Sequence, residues 1–292
     1  MSVRGFRGTV LAGALALLGG CASRTTRVTP PGKVAAPALE ASKQDLVARY
    51  NRQAAAIQSL NAAVQLKAVT GSAFAGVIKE YRQIDGYILA QRPAWIRVIG
   101  QAPVVGTDIF DMASDGTTFG MYIPSKRKFL VGPARGEQTA KNALENLRPQ
   151  HLVDALFWPD IPPDQVVVIE QETEDQPPSR DYVLTLLRGA GRELAIDRRI
   201  WFDRSNLEIS RIEIFGSDGR LESDLRYDDW STAVAASPFA RHLSIRRPYQ
   251  DYRLEISFTR LTLNQPIPPE RFRLEQPPGT EKVEVGRSEE RR

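Results

Sequence analysis

Ser42 to Ala68 reads SKQDLVARYNRQAAAIQSLNAAVQLKA, and inside this stretch the apolar period changes. Leu46, Tyr50, Ala54, Ile57 and Leu60 recur at spacings of four, four, three and three, which puts them on one face of a helix of about five turns. Ser42 with Asp45 three residues on is a capping-box-like start, with Asp standing where Glu or Gln is usual. From Asn61 the period is two: Val64, Leu66 and Ala68 alternate with Gln65 and Lys67, as in a half-buried strand. An amphipathic helix therefore runs straight into a strand.

Downstream, Gly71-Ser72 turns the chain into a strand candidate over Phe74 to Tyr81. Further candidates are Gly86 to Gln91, Trp95 to Gln101, Asp108 to Ala113, Thr118 to Ile123 and Lys128 to Val131. Asp85-Gly86, Arg92-Pro93, Asp115-Gly116 and Pro124-Ser125 between them are turn chemistry. Glu137 to Leu147 and Gln150 to Trp158 read as helices, the second with Leu152, Val153, Leu156 and Phe157 on one side and Pro159, Pro162 and Pro163 stopping it. Strands resume at Val166 to Gln171, Asp181 to Arg188, Glu193 to Phe202, Leu207 to Phe215, Arg220 to Tyr227 and Tyr252 to Leu263. Asp203 to Asn206 and Asp218-Gly219 supply turns, and Gln176 to Ser179 reads as a loop. No parallel crossover pattern appears, which excludes Rossmann and α/β-barrel architectures. The expected fold class is mainly β (α+β): one continuous antiparallel sheet with helices on one side. From Gln276 the chain reads as frayed, and 286–292 as a charged tail.

Upstream, residues 1 to 20 carry Arg4 and Arg7, an uncharged run from Thr9 to Leu18, and a Gly19-Gly20 exit. This is the three-region layout of a secretory signal, too short to span a bilayer permanently. Its exit, Leu18-Gly19-Gly20-Cys21-Ala22, resembles the lipobox of bacterial lipoproteins. The resemblance implies cleavage before Cys21 and acylation of its thiol and new amino group. Each buried methylene contributes roughly 0.8 kcal/mol, and two or more chains hold stably. Ala22, where lipoproteins retained at the inner membrane carry Asp, implies an outer-membrane anchor facing the periplasm. Residues 21–41, with Pro30, Pro31 and Pro37 and no apolar period, read as a semi-rigid tether. The expected domain is 42–285.

The whole chain has 292 residues, 39 Lys plus Arg against 35 Asp plus Glu, and 42% hydrophobic residues, a globular composition. Its longest basic cluster is Lys126-Arg127-Lys128, which argues against nucleic acid as a partner. One cysteine excludes an intrachain disulfide framework and any Cys-rich metal site.

Several stretches together resemble the LolA/LolB-like lipoprotein-localisation superfamily. They are the opening helix running into Ile57-Gln58-Ser59-Leu60-Asn61-Ala62, the Trp95-Ile96-Arg97-Val98 strand, and the Ser114-Asp115-Gly116 hairpin ending in Tyr122-Ile123-Pro124. Arg199-Ile200-Trp201-Phe202-Asp203, followed by Ile209-Ser210-Arg211-Ile212, completes the order. The likeness spans roughly Asp45 to Val285 and rests on order more than on any one motif. It implies a curved, unclosed antiparallel β half-barrel with helices covering the concave face, and an apolar cavity that accepts acyl chains of lipids or lipoproteins. Candidate lining residues are Leu46, Tyr50, Val64, Leu66, Ile78, Ile88, Ile96, Val98, Ile109 and Leu156. Receptor-type members carry an apolar tip on the loop after the fourth strand; Gln101 to Thr107 occupies that place, which makes Val104 and Val105 candidates for membrane contact. Carriers of the superfamily use an inward Arg to hold the empty cavity closed, and Arg97 is weighed for that role against an exposed-face position, which is the reading taken. The implied function is assisted localisation of acylated cargo at the outer membrane, with a soluble periplasmic carrier as a possible donor. The alternative is a non-carrier envelope sensor or assembly scaffold that binds protein partners with the same fold.

Enzyme chemistry finds no support in the motifs. There is no G-x-S-x-G, and Gly216-Ser217-Asp218-Gly219 reads as a hairpin tip. His151, on a helix, and His242, in a loop-like segment, have no second His at metal spacing. Asp228-Asp229 and Asp108 with Asp111 read as solvated acids at strand ends. The expectation is therefore a non-enzyme with no cofactor and no metal.

Overall fold

Ser42 accepts a hydrogen bond from the backbone N–H of Asp45 while the Asp45 carboxylate accepts from the backbone N–H of Ser42, so helix α1 (Lys43–Ala56) starts on a reciprocal capping box. The computed structural model describes residues 37–72, 76–135, 148–175, 178–191, 193–231 and 238–285. Helix α1 has four turns, not the five expected, because Ser59 and Leu60 already belong to strand β1 (Ser59–Ser72). The final spacing of three fits a helix. Ile57, however, leaves the helix with extended backbone, and Leu60 pairs with Leu263 on one side and Ala90 on the other.

The remaining elements are β2 (Val77–Glu80), β3 (Ile84–Gln91), β4 (Trp95–Gln101), β5 (Asp108–Ser114), β6 (Thr118–Ile123), β7 (Lys128–Pro133), α2 (Pro149–Leu156), β8 (Val166–Asp175), β9 (Pro178–Ala190), β10 (Glu193–Asp203), β11 (Ile209–Phe215), β12 (Leu221–Ser231), β13 (Phe239–Arg247), β14 (Tyr252–Leu263) and β15 (Glu281–Glu284). They form one sheet in the order β15-β7-β6-β5-β4-β3-β1-β14-β13-β12-β11-β10-β9-β8, with β2 beside the far end of β1. The β1–β14 ladder joins the first meander to the second. Among the described residues neither β15 nor β8 has a second neighbour, so the sheet is unclosed.

The sheet is also curved. Six ladders separate β3 from β10, roughly 29 Å across a flat sheet at ordinary strand spacing. Yet Arg92, just past β3, donates to the carbonyl of Trp158, and Arg198 of β10 donates to the carbonyl of the next residue, Pro159. Two side chains converge on adjacent residues only if the strands bend around them.

The core fills the concave side. Leu46, Tyr50 and Ala54 of α1 and Leu152, Val153 and Leu156 of α2 join Ile88, Ile96, Val98, Met112, Met121, Ile200, Leu225, Ile245 and Ile256 from the strands in one cluster. Each fully buried Leu or Ile contributes about 1.5–3 kcal/mol relative to exposure.

Several expectations need correction. Strand β13 lies where the sequence reads as loop-like, and His242 is on it. Leu243 and Ile245 do alternate with polar neighbours there, but Arg246-Arg247-Pro248 obscures the end of the run. The stretch after Gln276 is not simply frayed: β15 pairs in parallel with β7, the one parallel ladder among the described residues. Gly132 makes this possible, because a Cβ there would lie 2.2 Å from the carbonyl oxygen of Val285. The helix expected at Glu137 to Leu147, the signal, Cys21 and the tip around Phe74 lie outside the described residues. The chain is anchored on the sheet from Leu39, whose N–H donates to the Arg204 carbonyl, and Glu40, which accepts from Tyr182 and Arg204.

Candidate functional site

The end of α1, the chain leaving α2 and strands β12 to β14 enclose an apolar cavity. Gln53, Ala54 and Ile57 form one wall, Ala155, Leu156 and Trp158 the second, and Tyr227, Trp230, Phe239, Ala240, Leu243 and Phe258 the floor. Its free volume is about 30 Å³. That is room for a water molecule or two, far below the hundreds of Å³ usual for a ligand pocket. The cavity is nearly filled by its own walls.

Aromatic packing shapes it. Trp158 stacks on Tyr50 at 5.6 Å and meets Tyr227 edge-on at 5.2 Å. Its Nε1–H donates to Tyr227 Oη at 2.9 Å, and Tyr227 donates onward to the Ala155 carbonyl at 2.9 Å. Burial pushes the Tyr227 hydroxyl well above the ordinary phenol range, so it serves as a neutral hydrogen-bonding group. Tyr227 and Trp230 are three apart on β12 and in a regular strand would face opposite sides. Asp229 between them has a φ of 54°, and the two rings stand 6.2 Å apart on one side.

Arginines tie the cover to the sheet. Arg92 donates through Nε to the carbonyl of Ile57 at 3.0 Å and through Nη2 to those of Ala54 at 2.7 Å and Trp158 at 3.0 Å. Helix α1 has no basic residue in its last turn. Arg92 therefore supplies from the sheet the positive charge and donors that the helix C-terminus lacks. Its guanidinium also lies 5.1 Å from the centre of the Phe157 ring. Arg198 donates to Tyr50 Oη at 3.0 Å, and Tyr50 donates to the Pro159 carbonyl at 3.0 Å. Arg97, by contrast, points to the outer face and forms a two-pronged pair with Asp111 at 3.0 and 2.7 Å.

Of the ten lining candidates, Leu156 is on the cavity wall. Leu46, Tyr50, Val64, Leu66, Ile88, Ile96 and Val98 are buried in the surrounding core, and Ile109 packs partly buried against it. Ile78 requires correction: it is 61% exposed. Strand β2 pairs with Val69 to Ser72, where β1 runs past β3, and among the described residues Ile78 has no cover. Val104, with a φ of 73°, is fully exposed, and Val105 is 73% exposed, so neither tucks into the sheet. The floor from β13 was not foreseen because β13 itself was not. Tyr227 was within reach, as a large apolar residue closing an expected strand, whereas Trp230 lies three residues past the expected end of that strand, on the part of β12 not foreseen.

On the opposite, convex face, Ser257 Oγ lies 3.1 Å from His242 Nδ1, and Glu255 Oε2 lies 3.3 Å from Nε2. The three have the residue types of a hydrolytic triad, but β14 is paired on both sides here, so its backbone amides are spent on ladders and none is aimed at an oxyanion. Among the described residues, no group of three His, Cys, Asp or Glu is arranged to hold a metal ion, and no helix is long and apolar enough to cross a membrane.

No family model and no curated protein matches the chain. Among solved structures it is similar to a LolA superfamily protein from Nitrosomonas europaea, with 12% identity and a TM-score of 0.49 over 80% of this chain and 99% of that one. It is similar also to a DUF1329 family protein from Desulfovibrio piger, with 14% identity and a TM-score of 0.49 over 78% and 95%. A third is a candidate outer membrane lipoprotein-sorting protein domain from Vibrio parahaemolyticus, with 10% identity and a TM-score of 0.48 over 77% and 95%. These are likenesses of chain path at low identity, and the residues above carry the functional reading.

Proposed function

We propose that the chain is a lipid-anchored envelope protein that takes acyl chains of lipoproteins or lipids into the cavity under α1 and helps place them at the outer membrane. The observation that carries this reading is a narrow, apolar, aromatic-floored cavity under a helical cover that packs on the strands and is bonded to them through Arg92. Burying acyl carbon there is favourable at roughly 25 cal/mol per Å² of apolar surface removed from water. Opening breaks hydrogen bonds worth about 1 kcal/mol net each and parts the apolar contacts of Leu46, Tyr50, Ala54 and Leu156 with the strands, contacts that an entering acyl chain replaces. Transfer then follows relative affinity, with no bond broken and no cofactor. Cys21 would hold the protein at the membrane, and Val104 and Val105 would touch the bilayer during delivery. A soluble periplasmic carrier is the proposed donor.

The test is quenching by a brominated fatty acid. Trp158 and Trp230 border the cavity, whereas Trp95 packs against Phe272 and Trp201 lies under Arg211 with its Nε1–H on Glu172. Quenching is expected to survive Trp95→Phe with Trp201→Phe and to vanish in Trp158→Phe with Trp230→Phe; the reverse pattern, or no quenching, rejects the reading. Val104→Glu with Val105→Glu in the anchored protein should slow transfer to membranes while leaving uptake intact.

One observation favours the second reading, a scaffold or sensor for protein partners. β8 is a ten-residue edge strand with Val166 and Val168 about half exposed, which is a surface suited to strand addition. Absence of any lipid uptake together with loss of a bound protein on Val168→Lys would support it.

A further inference from the structure

One end of the strands gathers features that the cavity does not use. β1 outruns β3 there and pairs with β2, the β13–β14 turn packs beside it, and the N–H of Gly71 donates to the Asp251 carbonyl at 2.7 Å. Between hairpin and turn is a surface pocket of about 240 Å³, bordered by Ile78, Tyr252, Asp251 and three arginines, Arg246, Arg247 and Arg253.

Arg246 and Arg253 are direct cross-strand partners in the β13–β14 register. Like charges in that position are destabilising, and the acids nearby offset them only in part: Glu255 pairs with Arg253, and Glu80 feels its charge. Asp224, opposite Arg246 on β12, is engaged by both prongs of Arg211 at 2.7 and 3.0 Å. Glu255 is shared between Arg253 at 3.3 Å and His242 at 3.3 Å. Arg247 is directed to Gln250 and Ser223, and Arg246 is exposed without an ion pair among the described residues. Asp251 is the one acid bordering the pocket, against the exposed Arg246 and Arg253, while Arg247 is buried on the other face of the sheet. Planar guanidinium forks suit a phosphate oxygen pair.

The neighbouring surface decides which phosphate. Val77 is 68% exposed, Ile78 61% and Tyr249 62%, and Arg220 lies 5.1 Å over the Tyr249 ring. A free anion has no use for exposed aliphatic and aromatic groups around its site, whereas a bilayer interface favours apolar and aromatic side chains beside basic ones. The β4–β5 loop opens at this same end, since Gln101 pairs with Asp85 at the start of β3 and Ile84 pairs with Leu66 toward the far end of β1.

We infer that this corner is a headgroup site: Arg246 and Arg253 take the phosphate of an anionic phospholipid at a bilayer surface while Val77, Ile78 and Tyr249 enter the headgroup layer. The inference rests on the reading that the protein works at a membrane, and adds a second, charge-selective contact to the β4–β5 loop.

The experiment uses the full chain carrying Cys21→Ser, so that no acyl anchor contributes, in flotation with phosphatidylcholine vesicles with and without phosphatidylglycerol. Binding is expected to favour the phosphatidylglycerol vesicles, to weaken with added salt, and to fall roughly thirtyfold in Arg246→Gln with Arg253→Gln, from two surface charges lost. A polarity-sensitive dye on Ile78→Cys, then the only cysteine, should report an apolar environment on vesicle addition. Equal binding to both vesicles, an unchanged double variant, or a dye that stays in water while the protein floats would overturn the proposal. So would inorganic phosphate that binds the arginines while vesicles do not. The double variant should keep fatty-acid quenching of Trp158; loss of that quenching in the parent with vesicle selectivity intact would reject the cavity reading alone.

Discussion

Arg92 Nη2 lies 3.0 Å from the carbonyl oxygen of Trp158 and, through the same guanidinium, reaches the last carbonyls of α1. One side chain of the sheet thus bonds both parts of the cover. Arg92→Leu is expected to cost about 2–3 kcal/mol, the value of charged-donor hydrogen bonds lost, and to speed uptake of a fluorescent fatty acid. Arg92→Lys, with a point charge in place of the fork, should fall between. An Arg92→Leu protein that folds and takes up ligand no faster would remove the latch from the mechanism.

His151 on α2 gives the stability of the cover a pH dependence. Burial, then the charges of Arg247, Arg148 and Arg135, hold its imidazole well below the ordinary range. In the unfolded chain it titrates near about 6.5, so just below that pH the unfolded chain binds the extra proton and the folded one does not. Stability from this group is therefore complete above about pH 6.5 and declines as pH falls further. Melting curves of His151→Gln should show a flatter acid limb than the parent. His242 is the only other histidine, and His242→Gln is the comparison that isolates the effect.

On the convex face Asp224, 2% exposed, accepts both prongs of Arg211, which also lies 4.8 Å from the centre of the Trp201 ring. Asp224→Ala should destabilise by roughly 3 kcal/mol, because a partly buried guanidinium loses its main partner. Urea unfolding measures it. Fatty-acid uptake should be unaffected, since this face is turned away from the cavity.

Gly132→Ala places a methyl group against the Val285 carbonyl. β15 is expected to separate from β7, raising hydrogen exchange at 281–285 while protection in β1 and β14 is retained. Unchanged exchange at β15 would mean that the two strands shift to accommodate the methyl.

Local pattern made much of this architecture legible. Ser42 and Asp45 form the cap their spacing announces, and the alternation from Val64 to Ala68 is β1. Ile96 and Val98 face inward with Arg97 outward, as alternation requires. What stayed hidden depends on long-range register. Ile78 looks like a core strand residue, and only the overrun of β1 past β3 explains why it is exposed among the described residues. Arg92 looks like the residue before a turn proline; its role depends on α1 and Trp158 arriving from 38 and 66 residues away. The cavity floor escaped for the same reason, since Phe239 and Phe258 meet edge-on at 5.0 Å across a ladder whose first strand was read as loop.

The sheet's two free edges bear on capacity. In a closed barrel, strand number and stagger fix the diameter, so guests of different bulk compete for one set volume. Here no ladder joins β8 to β15, and the arc between them has a bending coordinate that leaves every backbone hydrogen bond intact. On the proposed reading, the space under the helices is thereby elastic, resting at nearly nothing and swelling with its load, with the stiffness set by the helical cover and the arginines that tie it to the sheet.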